Sequence, residues 1–272
     1  MKADHFIENP IKVLSGSYYE IIAILFILTL FEIKILSKGP NKDELRDAML
    51  NYFILTASQL LVKVYSGYLM LSMVSKAIDF RVFPIQKGYT SFLLCFFAVD
   101  FFYYWRHRLE HRNQLLWSIH VVHHSSHFFN SSLFARASWF SVLYSWIFLV
   151  PPVLIGFPIS YCYGAYLLLI LYQFFAHGKF EHPHLRYLRY LLVIPEDHRL
   201  HHSASEEHFG KNYAATFAIW DRVFGTYCDP DKAVVRSIGA PGEPESLNPF
   251  RVVVGPVIRY FQRQFGRNTE GS

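Results

Sequence analysis

Residues Arg106–His127 read RHRLEHRNQLLWSIHVVHHSSH, and this stretch holds six of the chain's fourteen histidines: His107, His111, His120, His123, His124 and His127. On an α-helix, side chains three or four residues apart share a face. His107 and His111 can therefore point at one metal, and His120 can do so with His123 or with His124. Farther along, EDHRLHH places His198, His201 and His202 in the same H-x2-H-H spacing. Eight histidines in three helix-compatible groups exceed the four ligands of one tetrahedral zinc. Two metals are the natural count. Neutral imidazole suits zinc, copper, iron and nickel alike, so ligand type does not choose among them. The three cysteines, Cys95, Cys162 and Cys228, argue against a disulfide framework or a cysteine-type zinc site, because at least two lie inside apolar runs.

The composition around these histidines is that of a membrane protein. Of 272 residues, 52% are hydrophobic and 18% aromatic, above the level of an ordinary soluble domain. A helix needs about 20 mostly apolar residues to cross a bilayer, and four or five stretches qualify as spans or re-entrant helices. The first runs from Tyr19 to Leu36 and lacks the basic start and small-residue cleavage site of a signal peptide. The second, Asn51 to Val74, carries Lys63 near its middle, where a lysine must face other helices or snorkel. The third, Tyr89 to Trp105, ends at the histidine stretch. The fourth and fifth, Trp139 to Phe157 and Ile159 to Ala176, are separated by Pro158, with Pro151 and Pro152 inside the fourth.

If the last two form a hairpin, both histidine-rich regions lie on one side of the membrane. The twelve Lys and Arg from His177 to Ser272 and the four in 106–137 put that side in the cytoplasm. The expected fold is thus all-α and polytopic: N-terminal membrane helices over 1–88, a catalytic domain over 89–230 whose cytosolic helical cap holds the di-metal site, and a cytosolic tail over 231–272. In that tail, Arg251 to Phe265 has the pattern of an amphipathic, surface-lying helix. The net charge of +5 suits a surface beside anionic lipid. The basic residues are too dispersed for nucleic acid.

Two other functions fit parts of the pattern. His107, Glu110 and His111 spell H-x-x-E-H, the inverted zinc-peptidase motif with the glutamate as general base, but this leaves the other six histidines idle. Glu110 reads better as a residue that orients a ligand imidazole. A metal transporter would place its ligands within the spans, whereas these histidines stand at helix ends.

The strings DFFYYWRHRLEH, LLWSIHVVHHSSHFFNSS, IPEDHRLHHS and NYAATFAIWDRVFGTY closely resemble the fatty acid hydroxylase superfamily, also called the sterol desaturase family, and within it most resemble the alkylglycerol monooxygenase branch. The motifs extend from Asp100 to Tyr227. The resemblance implies a non-haem centre of two ferrous ions that uses O2 to hydroxylate or desaturate a membrane lipid such as a sterol, a fatty acyl chain or an ether lipid. It assigns metal ligation to His107, His111, His120, His123, His124, His198, His201 and His202, and His177 in FFAHGKFEH matches a further ligand. His182 or His184 could add another. His127 departs from the alkylglycerol branch, where an acidic residue commonly follows HHSS.

Asp100 and Asp197, with Glu110, are candidates for orienting the ligands, although Asp100 could instead close a helix end. Trp220, Asp221 and Arg222 are expected to anchor the C-terminal part through packing and an Asp221–Arg222 charge network, and Asn130 and Arg136 to line a substrate entrance. No CxxCH, GxGxxG or iron–sulfur cysteine pattern occurs. Electrons must come from a separate donor: tetrahydrobiopterin, a cytochrome, a ferredoxin or a reductase.

Overall fold

The first two histidine groups sit on helices that abut at a sharp bend. Helix α3, in chain order, is Tyr89–Arg112, and α4 is Gln114–His124. Asn113 separates them: its backbone is extended, and its side chain accepts the Leu116 N–H at 3.0 Å. This is the N-cap that an asparagine supplies to an otherwise orphaned helix start. The bend folds the histidine end of α3 back against α4.

The computed structural model describes residues 18–37, 41–61, 76–77, 79–181 and 183–266. Before α3 come α1 (Tyr18–Leu36) and α2 (Lys42–Leu61); after α4 come α5 (Val150–Ile155), α6 (Ile159–Ala176), α7 (Pro195–His201), α8 (Ile219–Val223) and α9 (Pro249–Phe265), joined by loops and short 3-10 turns. The described residues contain no strand, only isolated antiparallel bridges at Leu192–Phe217 and Ser203–Ile238. The all-α expectation holds.

The membrane segments divide differently from the expectation. Among the described residues one helix, α6, is long and apolar enough to cross a bilayer. Helix α1 carries Glu20, Glu32 and Lys34, and Asp100 interrupts the apolar part of α3. The second candidate is described only to Leu61; its remainder, with Lys63, lies outside the described residues. The fourth is broken into Trp139–Leu143, Ser145–Leu149 and α5. None of these pieces is long enough to span. The chain nevertheless breaks between the fourth and fifth segments, where Pro158 is placed. Gly156 ends α5 at φ 128°, and a Cβ there would lie 1.7 Å from the Phe83 carbonyl oxygen, so only glycine fits. Pro158 then opens α6.

Three apolar clusters lock the histidine helices in place. Cys95 and Val99 of α3 pack against Tyr161, Cys162 and Ala165 of α6, with the Cys95 and Cys162 sulfurs 3.7 Å apart. Tyr104 and Ala176 join Tyr213, Ala214 and Ala218. Val122 on the back of α4 meets Leu50 and Ile54 of α2 and Val252 and Val253 of α9.

Candidate metal centre

Nine of the sequence-selected histidines converge in two groups. His107, His111, His120, His124 and His201 form one, and His123, His177, His198 and His202 the other; within each group the ligand-capable atoms lie within 4.8 Å of one another. The groups touch: the His124 and His202 rings stack at 4.3 Å. Helical periodicity explains the division. His120 and His124, four apart, stay on one face of α4 while His123 turns to the other group. His198 and His202 pair in the same way, and His201 crosses over to the five-membered group.

The far side of five of the nine rings is held by a hydrogen-bond acceptor, whereas the Nδ1 atoms of His198 and His202 are buried without a partner. His107 Nδ1 donates to the Tyr213 carbonyl at 2.7 Å, His201 Nδ1 to Lys211 O at 2.8 Å, His123 Nδ1 to Arg136 O at 3.1 Å and His177 Nδ1 to Gln173 O at 2.7 Å. His120 Nδ1 donates to Glu110 Oε2 at 3.0 Å. A carbonyl or carboxylate oxygen only accepts, so each of these rings is protonated at Nδ1 and presents an Nε2 lone pair.

Those lone pairs have no protein donor to meet. The Nε2 atoms of His107, His111, His120, His124 and His201 are buried without a hydrogen-bond partner. In the other group His177 Nε2 stands 3.1 Å from His123 Nε2, 3.2 Å from His202 Nε2 and 2.9 Å from His198 Nε2. Two Nδ1-protonated rings facing each other at 3.1 Å have no proton to share, and a cation between them removes the conflict. Burial holds His107, His111, His123, His124, His198 and His202 well below the usual imidazole range, and brings His177 to about 4 and His201 to about 3. The rings are therefore neutral at neutral pH, the state in which imidazole ligates a metal. The donor set fits two divalent transition ions, one for each group.

Glu110 is the acid that reaches this set. Besides His120, it accepts from Arg106 Nε at 2.8 Å and from the Tyr144 hydroxyl at 2.6 Å. Burial pushes its carboxyl up, but Arg106 and His120 more than offset this and hold it well below the usual range. Asp100 and Asp197, the other two candidates, bond elsewhere. Asp100 accepts the Thr216 and Phe217 N–H groups and the Trp220 indole at 2.9–3.1 Å, tying α3 to the loop before α8. Asp197 accepts the Ile194 N–H at 3.1 Å and the Tyr227 hydroxyl at 3.3 Å, closing the first turn of α7; its carboxyl is pushed up to about 7 by burial. Acids beside histidine motifs here satisfy backbone donors, which a buried loop needs as much as a ligand does.

Other candidates also change place. Asp221 accepts the Tyr213 and Ala214 N–H groups and the Thr226 hydroxyl, while the Arg222 guanidinium lies 3.8 Å from the Tyr227 ring centre; these contacts replace the expected Asp221–Arg222 pairing. Arg136 is buried and bonds Asp47, Asn51, Val122 O and Ser125, with one edge on a cavity of about 430 Å³ that the exposed His127 also lines. Asn130 donates to Glu44 instead of lining that cavity. His184 and His208 belong to neither group, and His5 and His182 lie outside the described residues.

The acids of α1 and α2 were missed from the sequence. Glu32 accepts from Ser131 N, Ser131 Oγ and Lys179 N; Glu44 pairs with Lys179 at 2.5 Å; Asp47 pairs with Arg136 at 3.0 Å. These bonds tie the N-terminal helices to the segments that follow His127 and His177. A carboxylate inside an apolar run, as Glu32 is, was the available signal.

Residues 92–226 match the family model described as fatty acid hydroxylase. An alkylglycerol monooxygenase of Danio rerio is 38% identical over 168 residues, 60% of this chain and 36% of the relative. That of Homo sapiens is 32% identical over 206 residues, 75% and 46% of the two chains. Ornithine lipid hydroxylase OlsE of Rhizobium tropici is 27% identical over 146 residues, 53% and 44%. The chain thus spans less than half the length of these curated relatives. No solved structure matches it.

Proposed function

With residues 92–226 belonging to the fatty acid hydroxylase family, we propose that this chain is a membrane-bound, O2-dependent lipid monooxygenase whose nine converging histidines hold two iron ions. The observation that carries this is the buried, partnerless Nε2 lone pair of His107, His120 and His201, each with its Nδ1 proton already committed to Tyr213 O, Glu110 or Lys211 O. When bound, the two ferrous ions supply O2 activation and the oxidising power to break an unactivated C–H bond. The chain does the rest. Backbone carbonyls of Tyr213, Lys211, Arg136 and Gln173 fix ring orientation, and Glu110 keeps His120 in its ligating tautomer, roles that such supporting groups take in metal sites. Burial of the groups excludes water.

The substrate is a lipid, with an ether lipid favoured by the relatives named alkylglycerol monooxygenase; hydroxylation is the expected reaction, and desaturation is the variant the fold family makes available. Multi-pass insertion rests on the apolar stretches of the sequence, and the basic residues of 177–272 favour the histidine groups facing the cytoplasm. Electrons come from a separate donor, tetrahydrobiopterin or a cytochrome or ferredoxin system. The nine assigned ligands are His107, His111, His120, His123, His124, His177, His198, His201 and His202.

The zinc-peptidase alternative is disfavoured because Glu110 is occupied by Arg106, Tyr144 and His120 and has no room to activate a water. A transporter would string its ligands along a path, whereas these nine converge. Two measurements test the proposal: iron analysis of the purified, iron-loaded protein, and mass spectrometry of lipids from cells with and without it. About two irons per chain and a lipid gaining one oxygen are expected; fewer than about one iron per chain, or an unchanged lipid profile, would overturn it.

A further inference from the structure

Helix α9 has two apolar faces, and the second is covered only at its N-terminal end. Val252, Val253 and Pro256 are buried, with Val252 and Val253 against Val122 of the histidine-bearing α4. On the other side Phe250, Val254, Ile258, Phe261 and Phe265 follow one another at intervals of four, four, three and four residues, the repeat of a single helical stripe; its first two members are engaged, Val254 on the same cluster and Phe250 against the Trp139 ring at 5.5 Å, and its last three are not part of that packing. Phe250, Ile258, Phe261 and Phe265 are 65, 50, 45 and 69% exposed. The Phe261 and Phe265 rings stack on each other at 6.0 Å and so extend the stripe beyond the packed half of the helix. The helix contains no acidic residue and three arginines, of which Arg251 and Arg263 are exposed while Arg259 pairs with Glu243.

We propose that α9 lies in the plane of an anionic lipid surface, with Ile258, Phe261 and Phe265 of the exposed stripe sunk into the acyl boundary and Arg251 and Arg263 among the head groups. An apolar stripe beside a cationic flank is the pattern of an interfacial helix, and the positive charge selects anionic lipid over a neutral protein groove. Because the opposite face grips α4, the lipid surface holds the helix bearing His120, His123 and His124 at a fixed height. This rests on the membrane setting of the proposed function but not on its metal chemistry.

The full chain in phosphatidylcholine vesicles, with and without phosphatidylserine, tests it. Nitroxide labels are placed at Phe261→Cys, Phe265→Cys and Gln262→Cys in a Cys228→Ser background, and collision with O2 is compared with collision with a water-soluble nickel chelate. The ratio of O2 to nickel collision should be higher at 261 and 265 than at 262. It should fall at both when phosphatidylserine is removed or when Arg251 and Arg263 are changed to Glu. Equal ratios at the three positions would overturn the proposal, as would shielding of 261 and 265 from both probes, the mark of a protein partner or a second copy. A chain that fails to float with the vesicles would overturn the membrane setting itself, whereas iron loss without a change in these ratios would leave α9 on the lipid and count only against the metal centre.

Discussion

The two histidine groups are built from the same residue type yet are held differently. In the five-membered group the Nε2 atoms stand without partners, and the supports are the Tyr213 and Lys211 carbonyls of one loop and the Glu110 carboxylate. In the four-membered group the Nε2 atoms crowd to 2.9–3.2 Å, and His177 is steadied by its own helix through Gln173 O. The first group has a ligand to spare and depends on the loop at 211–213; the second has none to spare and is held by Gln173 O of its own helix and by Arg136 O. Tolerance to ligand loss and tolerance to loop damage should therefore separate.

The largest contrast is expected from ligand removal. His198→Ala and His202→Ala each leave three imidazoles in the small group, so bound iron should fall from about two per chain to about one and product formation should cease. His111→Ala leaves four, a complete tetrahedral set, and iron should stay near two. Elemental analysis of the purified variants measures this directly, and equal losses in both groups would erase the distinction.

Next in size is Glu110→Gln. The amide still fills the site but no longer carries the charge that Arg106 and His120 face, so affinity for the iron of the five-membered group should drop about 10–100-fold, the usual cost of losing an orienting partner. Chelator competition reads this as early release of one iron of the two. Release of both together would mean that the groups behave as one site.

Much of this was legible in the sequence and some was not. Spacing placed His107 with His111, and the H-x2-H-H pattern marked two more sources of ligands; all nine selected histidines meet. What spacing left open was whether His120 goes with His123 or His124, because three and four residues both fit one helical face. The answer depends on where His177 and His202 arrive, which is a tertiary fact. Asp100 and Asp197 were misjudged for a related reason. An acid beside a histidine motif looks like a ligand support, but the donors Asp100 satisfies lie more than a hundred residues away at Thr216 and Phe217. Of the expected spans, Ile159–Ala176 is the one described helix long and apolar enough to cross a bilayer, while charges such as Glu32 enter the other apolar runs to meet Ser131 and Lys179.

Loop damage should follow the opposite preference from ligand loss. Asp221→Ala removes the acceptor of two buried N–H groups and one hydroxyl. Each stranded buried donor costs about 1–3 kcal/mol, so the melting temperature should fall clearly. The loop from Asn212 to Tyr213, where Asn212 takes a left-handed φ of 55° and bonds Asp197 O and Cys228 O, carries the carbonyl that holds His107. The iron lost first should be that of the five-membered group.

The smallest effect should come from His127→Ala, and its smallness is informative. His127 sits three residues beyond His124 in the same string, yet it is exposed and belongs to neither group. Surface substitutions away from packed or bonded groups usually change stability by less than about 0.5 kcal/mol, and iron content should remain at about two per chain. If His127→Ala removed iron, the division into five and four would be wrong at its boundary, because a tenth imidazole would have to move in from the cavity it lines. An unchanged iron count with altered lipid turnover would instead assign that cavity, with Arg136 and Asp47 on its wall, to handling something other than the metals.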